Sequence, residues 1–261
     1  MRYGACVGGN DLDNILVAAK LGFDYFETNF GTISRSTDDE FEAFKSTVKK
    51  SGIKCEAANN FMPADLPVTG PSVNYDAIKK YIESGMKRGH DVGLKIVVFG
   101  SGGARRIPDG FSYAKGIEQM SYFLGQIVAP IAQKYGITVV IEPLRAQECN
   151  MISTLNEAVI LSALTGKDNI QALADIYHMR FAGDTADTIR ILKGSIHHSH
   201  ISNPFPSGEA KRVYMKPGDT TDYRAFIDAL EFAGCERCSI EANTSDFPAD
   251  AAEAVKVLKS L

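Results

Sequence analysis

The chain has 261 residues, 28 Lys+Arg against 32 Asp+Glu, and a formal net charge of −4. With 44% hydrophobic and 23% charged residues it excludes disorder and carries enough apolar side chain for a sizeable core. The acidic balance excludes a protein held on nucleic acid by bulk charge, and no apolar run approaches the roughly 18 residues of a membrane-spanning helix.

In chain order, Met1 leads straight into RYGACVGG, with no charged and apolar leader of the export type. The first expected strand is 3–8. Asp11 then precedes Leu12, Ile15, Leu16 and Ala19 at helical spacing, and Gly22 stops that helix. Strand 25–29 follows. Thr37 with Glu40 forms a capping box ahead of Phe41, Phe44 and Val48, and Ser51-Gly52 ends the helix. Strand 54–59 is followed by a helical pattern near 74–90, and strand 95–100 by one near 113–135, which Pro130 is expected to kink. The remaining strands are 138–143, 170–177, 195–202 and 237–243. Their helices are expected near 153–165, 184–193, 221–233 and 248–260.

Several strands are continuous apolar runs, such as KIVVFG and TVVIEP, as parallel strands covered on both faces are. Eight strand–helix units of roughly 33 residues each predict a single-domain (β/α)8 TIM barrel over residues 1–261. A doubly wound open sheet is the rival. It lacks support because no dinucleotide-type Gly-rich turn follows the first strand.

Function in such a barrel sits at the C-terminal ends of the strands. Strand five closes on Glu142, strand six on Asp175, strand seven carries His198 and His200, and strand eight closes on Glu241. Each follows an apolar run, where an unpartnered charge is costly. Any one carboxylate by itself reads equally as a rim salt-bridge partner, and Asp175 as a turn cap. Three carboxylates brought together repel, and a divalent cation resolves that repulsion. Three oxygen donors and one imidazole suit Mn²⁺, or Mg²⁺ or Co²⁺, better than structural zinc. Alternation puts His198 and His200 on one face and His197 on the other. His200, nearer the strand end, is the expected ligand. His198 lies one layer deeper, and His197 is expected outside, packed under a helix.

The order Glu–Asp–His–Glu on strands five to eight resembles the sugar phosphate isomerase/epimerase superfamily, the xylose isomerase-like barrels. Within it the chain is most similar to the ketose 3-epimerases. The motifs are Glu142 and Glu148 in IEPLRAQE, Asp175 and His178 in DIYHM, His198 and His200 in HSH, and Glu241 in SIEAN. LGFDYFETN and MKPGDTTDY also resemble segments of that group. The resemblance implies a Mn²⁺-type ion held by Glu142, Asp175, His200 and Glu241, with Glu142 and Glu241 as the acid/base pair. It implies that Glu148 and His178 bind sugar oxygens, and that Arg212 stands for the arginine following the metal histidine. The implied chemistry is epimerisation or isomerisation of a ketose through an enediolate. By analogy with related barrels it also implies a homo-oligomer, dimer or tetramer, acting on a small carbohydrate.

A dehydratase or lyase acting on an inosose- or dehydroshikimate-like substrate would use the same metal scaffold. An endonuclease IV-like repair enzyme shares the barrel but needs many histidines, and this chain has five. A sugar-binding barrel without catalysis would have no use for the complete metal set.

Three further features stand apart. The loop FGSGGARRIPDG offers Gly100, Gly102 and Gly103 for close backbone approach. Its Arg105 and Arg106 read either as an anion clamp or as solvated rim residues. Cys235 and Cys238 form a lone CxxC before a strand, read as two incidental buried thiols. The odd cysteine count, five, fits reduced thiols in a cytoplasm. Phe30, Phe61, Phe99 and Phe111 follow strands and either wall a sugar pocket or pack the core.

Overall fold

The computed structural model describes residues 1–8 and 11–261. Eight parallel strands close into a barrel in the order β1 to β8. They are β1 Arg2–Cys6, β2 Tyr25–Asn29, β3 Lys54–Asn59, β4 Ile96–Phe99, β5 Thr138–Ile141, β6 Ile170–Asp175, β7 Ile196–Ile201 and β8 Arg237–Ile240. The expected TIM barrel is the observed one. No described helix is long and apolar enough to cross a membrane.

The helices are α1 Leu12–Leu21, α2 Phe30–Arg35, α3 Asp38–Ser51, α4 Tyr75–Val92, α5 Gly102–Arg105, α6 Tyr113–Tyr122, α7 Ala129–Lys134, α8 Leu155–Thr165, α9 Ile176–Ala182, α10 Ala186–Ile191, α11 Tyr223–Ala233 and α12 Phe247–Leu258. The Asp11 cap and the Thr37/Glu40 capping box form as the sequence indicates. The kink expected at Pro130 is absorbed in a π-helical stretch, Phe123–Val128, joining α6 to α7. A wide turn there accommodates a residue with no N–H to donate.

The strands end earlier than the apolar runs. Strand six was expected to reach Tyr177 but stops at Asp175. The Asp175 side chain accepts the Tyr177 N–H at 2.8 Å and starts α9. Three short helices, α2, α5 and α9, occupy strand ends where the sequence reads as loop. Glu142 and Glu241 stand one residue beyond their strands. Each still donates its N–H across the barrel seam, to Phe99 O at 3.2 Å and Ile201 O at 3.1 Å.

Inside the barrel Tyr25, Ala57, Ile96, Val98, Val140 and Leu173 form an enclosed apolar layer. Gly4 makes room for it: a Cβ there would lie 2.3 Å from the Tyr25 ring. Below that layer Glu56 receives Arg2 at 2.6 Å and Arg237 at 2.9 Å. Register shifts occur at two seams, leaving Glu56 and His197 as the extra residues of β3 and β7. His197 therefore bulges outward and is exposed, not packed under a helix as expected. Phe30, Phe61 and Phe99 are fully buried and meet edge to face, so they are core, not pocket wall. Phe111 packs against the same core, partly buried.

Candidate metal centre

Glu142, Asp175, His200 and Glu241 converge at the C-terminal mouth, each offering one ligand atom within 4.8 Å of the others. His200 Nδ1 lies 3.2 Å from Glu142 Oε1, 3.0 Å from Glu241 Oε2 and 3.9 Å from Asp175 Oδ2. Sheet register explains part of this, because Asp175 is paired with His200, and His200 with Ser239 two residues before Glu241. Asp175 spends Oδ1 on the first turn of α9 and leaves Oδ2 for the cluster.

The other side of His200 holds a residue that the search of strand ends missed. Glu27, wholly buried on β2, reaches across the barrel. Its Oε1 accepts from His200 Nε2 at 3.0 Å and its Oε2 from His198 Nε2 at 2.9 Å. The rule that selected the other carboxylates, a charge closing an apolar run, applies equally to YFETN and was the signal available. His198 lies below His200, with Ser239 Oγ at 3.4 Å and Tyr25 Oη next at 3.0 Å from that oxygen.

Charge is crowded here. Burial, then the charge of Glu241, raises the carboxyl pKa of Glu142. Burial opposes a charged His200, yet Glu241 and Glu27 outweigh it and lift the imidazole well above its ordinary value. Burial would raise Glu241, but His200 and Arg212 bring it down to about 2. Glu27 stays ionised against its burial because His200 and His198 hold it below the carboxylate range. Four carboxylates against the Arg212 guanidinium and the His200 imidazolium leave an excess of negative charge, which a divalent cation offsets. Three oxygen donors and a ring nitrogen whose partner nitrogen is already bonded form a donor set that fits such an ion.

The remaining sequence-selected residues line the same rim. Arg212 bridges Asp175 and Glu241 and is one-fifth exposed or less. His178 is in the first turn of α9, and its Nδ1 accepts the Arg145 backbone N–H at 3.1 Å. A neutral ring then carries its proton on Nε2, so the Arg212 Nη2 found 2.9 Å away meets a donor. The two carboxylates, not His178, hold that guanidinium. Glu148 Oε1 accepts from Arg145 Nε at 2.6 Å, and Oε2 lies 4.0 Å from His178 Nε2.

Arg105 and Arg106 do not join the site. Arg105 is fully buried and donates to the carbonyls of Phe99, Glu142 and Ile152 at 3.0, 2.8 and 3.4 Å. Arg106 donates to the Glu148 carbonyl at 2.8 Å. Arg105 is spent on buried carbonyls, and Arg106 is an exposed rim residue. Cys235 and Cys238 are buried, and burial pushes their thiols up to about 11 and about 12. Among the described residues the metal-capable groups are the four-donor cluster and Cys6–Glu27–His200, which share His200. A centre for three zinc ions of the endonuclease type is therefore not built among them.

A family model described as xylose isomerase-like TIM barrel matches residues 15–261. The chain is 25% identical over 211 residues to a D-psicose 3-epimerase of Agrobacterium fabrum, covering 74% of this chain and 66% of that one. It is 31% identical over 121 residues to an L-ribulose 3-epimerase of Mesorhizobium japonicum, covering 46% and 38%. The matched stretches thus span just under two thirds, and under two fifths, of those relatives. The crystal structure of a 3-keto-D-glucoside 4-epimerase from E. coli superposes with a TM-score of 0.80 over 100% of both chains. At 21% identity that likeness is one of fold.

Proposed function

The chain belongs to the xylose isomerase-like TIM barrel family, and from that premise we propose that it is a divalent-metal-dependent carbohydrate epimerase or isomerase acting on a ketose. The observation that carries this reading is the four-donor cluster at the barrel mouth. The similarity to two ketose 3-epimerases supports the substrate class. Mn²⁺ is the ion we assign, held by Glu142, Asp175, His200 and Glu241, with Mg²⁺ and Co²⁺ as substitutes. When bound, the ion supplies Lewis acidity that lowers the cost of charge developing on the substrate's oxygens.

The chain's own residues carry the proton. One of Glu142 and Glu241 removes a proton from the carbon next to the carbonyl, and the C–H electron pair passes towards the carbonyl oxygen to leave an enediolate. The other returns a proton to the opposite face, inverting that carbon. Their environments push the two carboxyls in opposite directions, the pattern expected of an acid and a base sharing a site. His178, with its proton on Nε2, donates to a sugar oxygen. Glu148 accepts from a hydroxyl, oriented by Arg145, and Arg212 donates to oxygens near the reacting carbons. The reduced, scattered cysteines fit a cytoplasmic enzyme, and family analogy favours a dimer or tetramer.

The test is to incubate Mn²⁺-loaded protein with a panel of ketoses, ketose phosphates and inososes. The reading expects a free ketose to convert to its epimer, the conversion to stop on chelation, and Mn²⁺ to restore it. Turnover of an inosose with loss of water would favour the dehydratase reading instead.

A further inference from the structure

The metal-dependent reading leaves Glu27 without a part, although it is the most enclosed carboxylate of the mouth. The geometry points to Glu27 as the positioning residue that fixes the ring of His200, accepting its Nε2–H so that Nδ1 faces Glu142, Asp175 and Glu241. This inference rests on the metal reading of the cluster.

Three observations support it. First, the two ring nitrogens of His200 are divided cleanly. Nε2 faces Glu27 alone at 3.0 Å, while Nδ1 faces the three carboxylates at 3.0 to 3.9 Å. An imidazole ligates through a lone pair, and the nitrogen that donates elsewhere determines which one is free. Second, Glu27 is unable to turn away. Its second oxygen takes the Nε2 proton of His198, and both residues are wholly buried. Third, the neighbouring strand β3 takes an extra residue, Glu56, at its seam with Glu27, an irregularity of the kind found beside functional sites. Glu27 is thus no fifth ligand. Both of its oxygens are committed to imidazoles, on the side of His200 away from the cluster. His198 serves as the second tether of the same carboxylate.

The full-length protein tests this in two ways. Calorimetric titration with Mn²⁺ reads affinity, and ¹⁵N-histidine NMR on metal-free and Mg²⁺-loaded protein reads which nitrogen of His200 carries the proton. Glu27→Ala should weaken Mn²⁺ binding about 10- to 100-fold. Glu27→Gln, whose amide oxygen still accepts one ring N–H, should lose less. Glu27→Asp, one methylene short, should behave like Glu27→Ala and replaces it if that variant does not fold. The far-downfield Nε2–H signal of His200 should be present in the wild type, with or without metal, and absent in Glu27→Ala and Glu27→Asp. A purely structural role would lower the melting temperature and leave that signal and the affinity unchanged, which would overturn the inference. If the wild type takes up no Mn²⁺, the metal reading fails, while loss of the Nε2–H signal in the variants still upholds the tether. Persistence of that signal in the variants overturns the tether whatever the metal does.

Discussion

Gly100 abuts Glu142 so closely that a Cβ on residue 100 would lie 2.2 Å from Glu142 Oε2. The last residue of the strand-four run is therefore small because the carboxylate of the next strand occupies its side-chain space. Gly100→Ala should force Glu142 out of the cluster while leaving the barrel folded. Mn²⁺ affinity is expected to fall on the order of tenfold or more, with an unchanged far-ultraviolet circular dichroism spectrum. Wild-type affinity in a folded Gly100→Ala protein would remove Glu142 from the ligand set.

His178 and the metal ligands should separate by readout. Glu142→Gln/Asp175→Asn is expected to hold clearly less than one Mn²⁺ per chain on elemental analysis. His178→Ala should keep its metal and lose turnover by about 100-fold or more, the usual size of a general acid–base or orienting contribution. A His178→Ala protein that purifies metal-free would make His178 part of the metal cluster.

Arg105 and Arg106 are adjacent in sequence and opposite in consequence. Arg105→Ala strands the buried Glu142 carbonyl, takes a second donor from the carbonyls of Phe99 and Ile152, and leaves a void, so unfolding in urea should show a loss of about 3 kcal/mol. Arg106→Ala should change stability by no more than about 0.5 kcal/mol. Neither should alter the preference between neutral and phosphorylated ketoses, measured as the ratio of kcat/KM values. A selective rise in KM for the phosphorylated sugar would restore the loop as an anion site.

The barrel was legible because its strands are unbroken apolar runs at regular intervals, and the residues of the mouth cluster because each is a polar group at or near the end of a strand. Glu27 ends a similar run, but its meaning depends on His198 and His200, 171 and 173 residues away. Arg105 looked like a rim cation, since nothing in SGGARR tells that a four-residue helix turns it beneath the strand ends. His197 faces outward, as alternation with His198 and His200 indicates, but as the extra residue of β7 it stands exposed and not packed under a helix. The helices that escaped notice, α2, α5 and α9, are each of seven residues or fewer, too short for a periodic pattern to register.

Acid should weaken the bottom of the barrel through Glu56. Burial disfavours its charge, but hydrogen bonds from Arg2 and Arg237 outweigh that and hold the carboxyl below its ordinary value. A carboxyl depressed in the folded state contributes stability above its unfolded pKa and loses it as pH falls through the folded one. The penalty of Glu56→Gln in urea unfolding should therefore be full at pH 7 and shrink progressively below about pH 4. An equal penalty at pH 7 and at pH 3 would mean that the two arginines contribute nothing through its charge.

The central claim is abstraction of a proton from the carbon beside a ketose carbonyl, and incubation of the Mn²⁺-loaded protein with the ketose in D2O reads it most directly. The account predicts one carbon-bound deuterium per turnover, at C3 of the epimerised product, and none in the Glu142→Gln or Glu241→Gln protein. Conversion without any deuterium entering from solvent, or deuterium incorporation that survives both substitutions, would contradict it.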